Sequence, residues 1–218
     1  MSDTRTLFLA AVDAAAPLVA EPALAERFEA PSALAEFSVR GLAGHLLRAM
    51  TSTEGYLDAA EPAAGRDRAP AVISAAAYYA RVFPGENSLD SEFNRAIRLR
   101  GLEAAPEKPD DLPGLWAETA ARLGRRLAAE PPGRLVQVFG GMVLTLDEYL
   151  VTRLVELVVH TDDLAVSLGV GPPELPPAAT GLVIATLVEV GRIRHGDTAV
   201  VRALTRRERD TDEALRVI

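Results

Sequence analysis

The sequence predicts a mainly α-helical protein, a helix bundle with short accessory helices, a small β-hairpin and a C-terminal helical extension. Three observations lead there. Hydrophobic residues make up 49% of the 218 positions but aromatics only 5%, so Ala, Leu and Val must fill the core. Chains rich in Ala and Leu favour helices on intrinsic propensity. Clusters of proline with glycine or charge, at 61–70, 104–114, 130–133 and 169–177, separate long segments without turn signals. One short region, after Arg134, changes to the two-residue period of a strand.

The elements follow in order. Residues 4–28 read as a first helix, with Pro17 and Pro22 as kink points. The start, MSDTRTLFLAAVDAAAPLVA, imitates a signal peptide only faintly, because Asp13 interrupts the apolar run and helix-like sequence continues. Residues 38–60 form a second helix with Ser38 as its N-cap. Shorter helices are expected over 70–83 and 88–101, and an amphipathic one over 112–129 with the only tryptophan, Trp116. Leu135, Val136 and Val138 precede Gly140-Gly141, and MVLTL follows, which reads as a hairpin turning at the two glycines. Thr145 stands three residues before Glu148, a capping-box spacing that opens a long helix over 146–168, stopped at Gly169. Residues 178–195 form another apolar helix ending at Gly196. The tail is charged in the middle and apolar at Leu215, Val217 and Ile218, so it is expected to pack back. Residues 1–169 are thus expected to form the bundle, and 170–218 a short extension packed on it.

Charge and composition exclude several functions. The balance of 31 acidic against 23 basic residues gives −8, which does not suit a nucleic-acid partner. Arg122, Arg125, Arg126, Arg206, Arg207 and Arg209 are read as solvated faces. No run reaches the roughly 18 apolar residues of a membrane span, and a cytoplasmic location is expected. Cysteine is absent, so the chain has no disulfide, thiolate metal ligand or catalytic cysteine of its own. There is no Gly-x-Ser-x-Gly elbow, phosphate loop or dinucleotide-binding glycine motif.

Chemistry concentrates on the helix over 146–168. Glu156 and His160 are four residues apart, about 40° around one helical face, and Asp163 returns to nearly the same line. Tyr149, Thr152, Arg153 and Ser167 join this stripe, and the remaining circumference is almost wholly Leu and Val. Two readings stay open: a stripe in water, or a stripe facing a polar space inside the bundle. Carboxylate and imidazole one turn apart can chelate zinc or a similar divalent ion. His45, flanked by Gly41 and Gly44 on the second helix, is a candidate third ligand, or a lone histidine at a helix interface. His195 ends a helix, where a cation caps terminal carbonyls, and is left out of the site.

These residues carry a resemblance. FEAPSALAEFSVRGLAGHLLRAM and GGMVLTLDEYLVTRLVELVVHTDDLAVSLG resemble the second-helix entry and the hairpin with fourth helix of the mycothiol-dependent maleylpyruvate isomerase family, within the DinB/YfiT-like superfamily. VRALTRRERDTDEALRVI resembles the endings of short relatives. The departures are Asp162, where relatives often carry an aromatic, Phe28 and Phe37, where tryptophan is common, and a short segment after Gly169. The resemblance implies a DinB/YfiT-like four-helix bundle holding one divalent metal, usually zinc, on His45, Glu156 and His160. It also implies mycothiol as the thiol that this cysteine-free chain cannot supply, acting on a small electrophile by isomerisation or thiol transfer. Arg153 and Asp163 are expected to support the ligands or orient substrate. A metal-binding bundle without catalysis, as sensor or interaction module, and a metal-dependent hydrolase remain alternatives; a homodimer is left open.

Overall fold

The structure is a computed structural model and describes residues 3–62, 71–82, 91–206, 208 and 217. The predicted helices 70–83 and 88–101, and the apolar ends Leu215 and Ile218, lie partly or wholly outside those residues. Among the described residues the order is α1 (Thr4–Val19), α2 (Pro22–Arg27), α3 (Val39–Asp58), α4 (Ala75–Val82), α5 (Glu92–Ala104) and α6 (Leu112–Ala129). It continues with β1 (Leu135–Gln137), β2 (Val143–Thr145), α7 (Leu146–Leu168), α8 (Pro177–His195) and α9 (Asp197–Thr205).

Helices α1, α3, α6 and α7 make the bundle: α1 and α3 each pack against both α6 and α7. Their shared core holds Phe8, Val12, Leu42, Leu46, Trp116, Leu123, Leu150 and Leu154. α5 lies on α3, α4 on α7 and α8, and α9 on α8, so the chain after Gly169 folds back onto the bundle. Val217 is buried there, and Arg194 donates to its carbonyl at 2.8 Å. No helix among the described residues is long and apolar enough to cross a membrane.

Several expectations need correcting. The predicted helix 4–28 is two helices. Pro22 is the first residue of α2, and it holds Glu21 extended at φ −63°, ψ 130°, while Pro17 stays inside α1. The hairpin does not turn on Gly140-Gly141 alone. β1 and β2 pair antiparallel, with Leu135 opposite Thr145, across a longer loop in which Phe139–Gly141 forms a 3-10 turn. Glu148 provides its backbone N–H to the Thr145 hydroxyl, as a capping box requires, but its carboxylate accepts from the Ala75 N–H at 2.7 Å. The tail contains the unforeseen helix α9. Arg122 and Arg126 are not merely solvated: Arg122 clamps the largely buried Glu54 on α3 at 2.6 and 2.8 Å, and Arg126 reaches Asp58 at 2.6 Å. Arg125 and Arg206 are exposed, and Arg207 and Arg209 lie outside the described residues.

Candidate metal centre

The centre is built where α3 and α7 run antiparallel. α7 is long because both ends are capped. Thr145 Oγ1 accepts the Glu148 N–H at its start, and Gly169 closes it in the left-handed conformation, φ 73°. Its Leu and Val residues pack on the bundle over most of the circumference. The polar stripe therefore has nowhere to go but inward, toward α3. Tyr149 and Thr152 are buried, and the Glu156 and His160 side chains are 17% and 15% exposed. Of the two readings of the stripe, water-facing or bundle-facing, the packing selects the second.

His45 reaches the same point from α3, with its side chain 14% exposed. It gets there because α5 approaches α3 with backbone against backbone. A Cβ on Gly101 would lie 2.6 Å from the Gly41 carbonyl oxygen and 3.3 Å from the His45 Cβ, and one on Gly44 would overlap the Gly101 carbonyl. The Phe37 ring meets His45 edge-on, with centroids 5.8 Å apart.

The three side chains meet. His45 Nε2 is 3.1 Å from Glu156 Oε2, and His160 Nε2 is 3.5 Å from the same oxygen. One ligand atom from each residue lies within 4.8 Å of the others. Ligand atoms 2.0–2.1 Å from a tetrahedral ion are about 3.3 Å apart. The observed spacings straddle that value, and two imidazoles with one carboxylate are a donor set for zinc and similar ions. The residues fit a divalent metal.

Partners surround the triad. Asp163 Oδ2 accepts from His160 Nδ1 at 2.9 Å. Tyr79 of α4 donates from its hydroxyl to Glu156 Oε1 at 3.0 Å and also lies 2.9 Å from the Thr152 carbonyl. Arg153 lies over the Tyr149 ring at 5.2 Å and donates from Nε to Thr152 Oγ1 at 3.1 Å. His45 Nδ1 is buried with no hydrogen-bond partner among the described residues, so the two histidines are supported unequally there. Asp162, beside Asp163, points to solvent, and His195 is exposed at the end of α8.

Electrostatics follow from this packing. Burial works against the Glu156 charge, but hydrogen bonds from His160 and His45 and the charge of Arg153 hold its carboxyl well below the usual range. Burial alone would lower His160, yet Asp163 and Glu156 outweigh it and push the imidazole up to about 9. His45 goes the other way: burial lowers it, and the hydrogen bond to Glu156 only partly offsets that. The Glu156 carboxylate between the two imidazoles is the charge that could hold a divalent cation.

Sequence reasoning missed part of this environment. Tyr79 touches the triad at Glu156, Tyr78 stands edge-on to Tyr79 at 5.7 Å, and Tyr56 stands edge-on to Tyr149 of the stripe at 4.9 Å. Tyr79 comes from a helix remote in sequence, and the only available signal was the scarcity of tyrosine.

The sequence profile of the mycothiol maleylpyruvate isomerase N-terminal domain matches residues 8–165, most of the chain. The chain belongs to that family. Among solved structures it is similar to a histidine variant of the mycothiol-dependent maleylpyruvate isomerase, with a TM-score of 0.51 and 16% identity. The match covers 85% of this chain and 66% of that one, so this member of the family spans just under two thirds of that isomerase's length. At that identity the likeness is one of fold, the DinB-like helical bundle with its small hairpin. No curated protein matches the chain.

Proposed function

We propose that this family member binds one divalent ion, zinc being the first choice, on His45, Glu156 and His160, and uses it to activate a low-molecular-weight thiol against a small electrophile. The observation that carries the reading is the convergence of these three donors in a cysteine-free chain. Three protein ligands leave a coordination position for an exogenous group, as catalytic rather than closed structural sites do. A divalent ion held there supplies the Lewis acidity that lowers the pKa of a coordinated thiol. Mycothiol is the thiol that the family's name points to.

The chain's own residues have distinct parts in this reading. Asp163 accepts the Nδ1 proton of His160, fixing the tautomer that offers Nε2 to the ion. Tyr79 occupies Glu156 Oε1 and leaves Oε2, the oxygen nearest both histidines, as ligand. Arg153 stands one turn from Glu156 and orients the electrophile. The apolar Leu and Val of α7 and the packed α5 keep bulk water from the ligand side chains. We assign this chemistry to residues 1–169 and a supporting role to 170–218; isomerisation and thiol transfer differ only in whether the thiol leaves again.

Cobalt substitution tests the reading. The cobalt-loaded protein should gain an intense sulfur-to-metal charge-transfer band in the near ultraviolet on adding mycothiol. Glu156→Ala should take up no cobalt and show no band. A spectrum that ignores saturating thiol would remove the thiol from the proposal.

A further inference from the structure

The last turn of α8 carries three basic residues, and they go different ways. Arg192 stays local, on Glu189 at 2.6 Å and Asp197 at 2.9 Å, and His195 is exposed. Arg194 leaves its own helix. Its Nη1 donates to the Val217 carbonyl at 2.8 Å and its Nη2 to the Tyr79 carbonyl at 3.0 Å. Its Nε is buried with no partner among the described residues, and no carboxylate among them pairs with it. A half-buried guanidinium without a carboxylate is a poor stabiliser, because desolvating the charge is costly and neutral carbonyls return only part of that cost. What it provides is geometry: planar donors in a fixed fork hold two acceptors at a set spacing.

The acceptor on α4 matters because of what Tyr79 holds. α4 has only 8 residues, too few to be stable alone, so its seat is set by what packs on it. Tyr79 lies in its last turn, where helix carbonyls run out of intrahelical donors. The Tyr79 side chain is buried and crosses to α7. Its hydroxyl carries one hydrogen and meets two acceptors, the Thr152 carbonyl at 2.9 Å and Glu156 Oε1 at 3.0 Å. Where the ring sits therefore decides how that hydrogen is shared. Placed on Glu156, it engages Oε1 and leaves Oε2 to the histidines. Placed on Thr152, it leaves both carboxylate oxygens to compete for one ion.

We infer that Arg194 is a positioning residue for the metal centre. It fixes the α4 backbone at Tyr79, so that the buried hydroxyl stays on Glu156 Oε1 and Oε2 faces the two histidines. The chain after α7 thereby tunes the metal affinity of a centre to which it contributes no ligand. The inference rests on the metal-binding part of the reading above, not on the thiol. The path is short and continuous, from the Val217 carbonyl through Arg194 and the Tyr79 backbone to the Tyr79 hydroxyl and Glu156. A continuous path is a coupling only if its two ends respond together, which a double-mutant cycle measures.

Zinc affinity of the full chain, read by competition with a chromophoric chelator, supplies that cycle. Arg194→Met keeps the apolar stem and removes every donor. It should weaken zinc binding by roughly 3- to 10-fold, less than the loss of a group that touches a ligand directly. In the Tyr79→Phe background there is no hydroxyl to position, and adding Arg194→Met should change zinc affinity by less than about 2-fold. Arg192→Met removes the exposed ion pairs of the same turn of α8 and should leave zinc affinity at the wild-type value. Arg194→Lys keeps the charge but not the fork, and should fall between wild type and Arg194→Met; it carries the cycle if Arg194→Met does not fold. The inference is overturned if the folded Arg194 variants bind zinc as tightly as wild type, if their loss persists in full beside Tyr79→Phe, or if Arg192→Met weakens binding as much. Those results, with zinc still lost in His160→Ala, would leave the metal reading standing. Zinc binding that survives His160→Ala would remove the metal reading and this inference with it.

Discussion

Glu156 is the residue on which the centre turns. One carboxylate oxygen lies near both histidines, and the other accepts the Tyr79 hydroxyl. Replacing any of the three donors should abolish tight metal binding. His160→Ala, purified beside wild type and assayed by elemental analysis, is expected to carry little zinc; full occupancy would mean the ligands lie elsewhere. Asp163→Asn leaves the imidazole in place but weakens its orienting partner, so metal affinity should fall by roughly 10- to 100-fold, read by competition with a chromophoric chelator. An unchanged affinity would make the 2.9 Å contact to His160 a surface ion pair of little value. Tyr79→Phe removes a buried donor from Glu156, and should cost about 1–2 kcal/mol of stability together with a measurable loss of metal affinity.

At the scale of elements, the α3–α5 contact decides where His45 stands. Gly101→Ala would bring a Cβ within 2.6 Å of the Gly41 carbonyl oxygen. Both are backbone positions, so the helices must separate rather than a side chain swing away. A loss of roughly 1–3 kcal/mol in urea unfolding is expected. Because the same Cβ would press on His45, the surviving folded protein should also bind metal more weakly. A variant with lowered stability and undiminished metal affinity would show that α5 supports the bundle without positioning the ligand. The α7 cap offers a contrast. Gly169 sits at φ 73°, so Gly169→Ala should cost about 1 kcal/mol and leave the metal centre, at the helix middle, intact.

On the scale of the whole molecule, the region after α7 packs on the bundle through α8 and also reaches toward the centre by hydrogen bonds from one side chain, Arg194. Arg194 of α8 donates to the Val217 carbonyl at 2.8 Å and to the Tyr79 carbonyl at 3.0 Å, and Tyr79 in turn touches Glu156. Arg194→Ala should therefore loosen both the tail and α4, destabilising the fold by roughly 1–3 kcal/mol. Hydrogen exchange should show the loss first in α4 and α8. Faster exchange confined to the tail would mean that α4 is held by its packing on α7 and α8 alone.

Most of what is local could be read in the chain itself. Periodicity and caps placed α3, α6, α7 and α8 within a residue or two of their observed ends, because Ser38, Thr145, Gly169 and Gly196 act on their own neighbours. The spacing of Glu156 and His160 likewise put both on one face before any fold was known. Pro22 broke a helix that read as one segment kinked at Pro17 and Pro22, and Glu148 gave its carboxylate to Ala75, because a local signal competes with partners that the sequence does not list. Which way the polar stripe of α7 faced was decided only in three dimensions. The antiparallel register of α3 and α7, and glycines at 41, 44 and 101 that let α5 close on His45, set the third donor opposite the first two. Tyr79 belongs to the same class. It comes from a position 77 residues away from its partner Glu156, and only packing of the apolar faces brings such positions together.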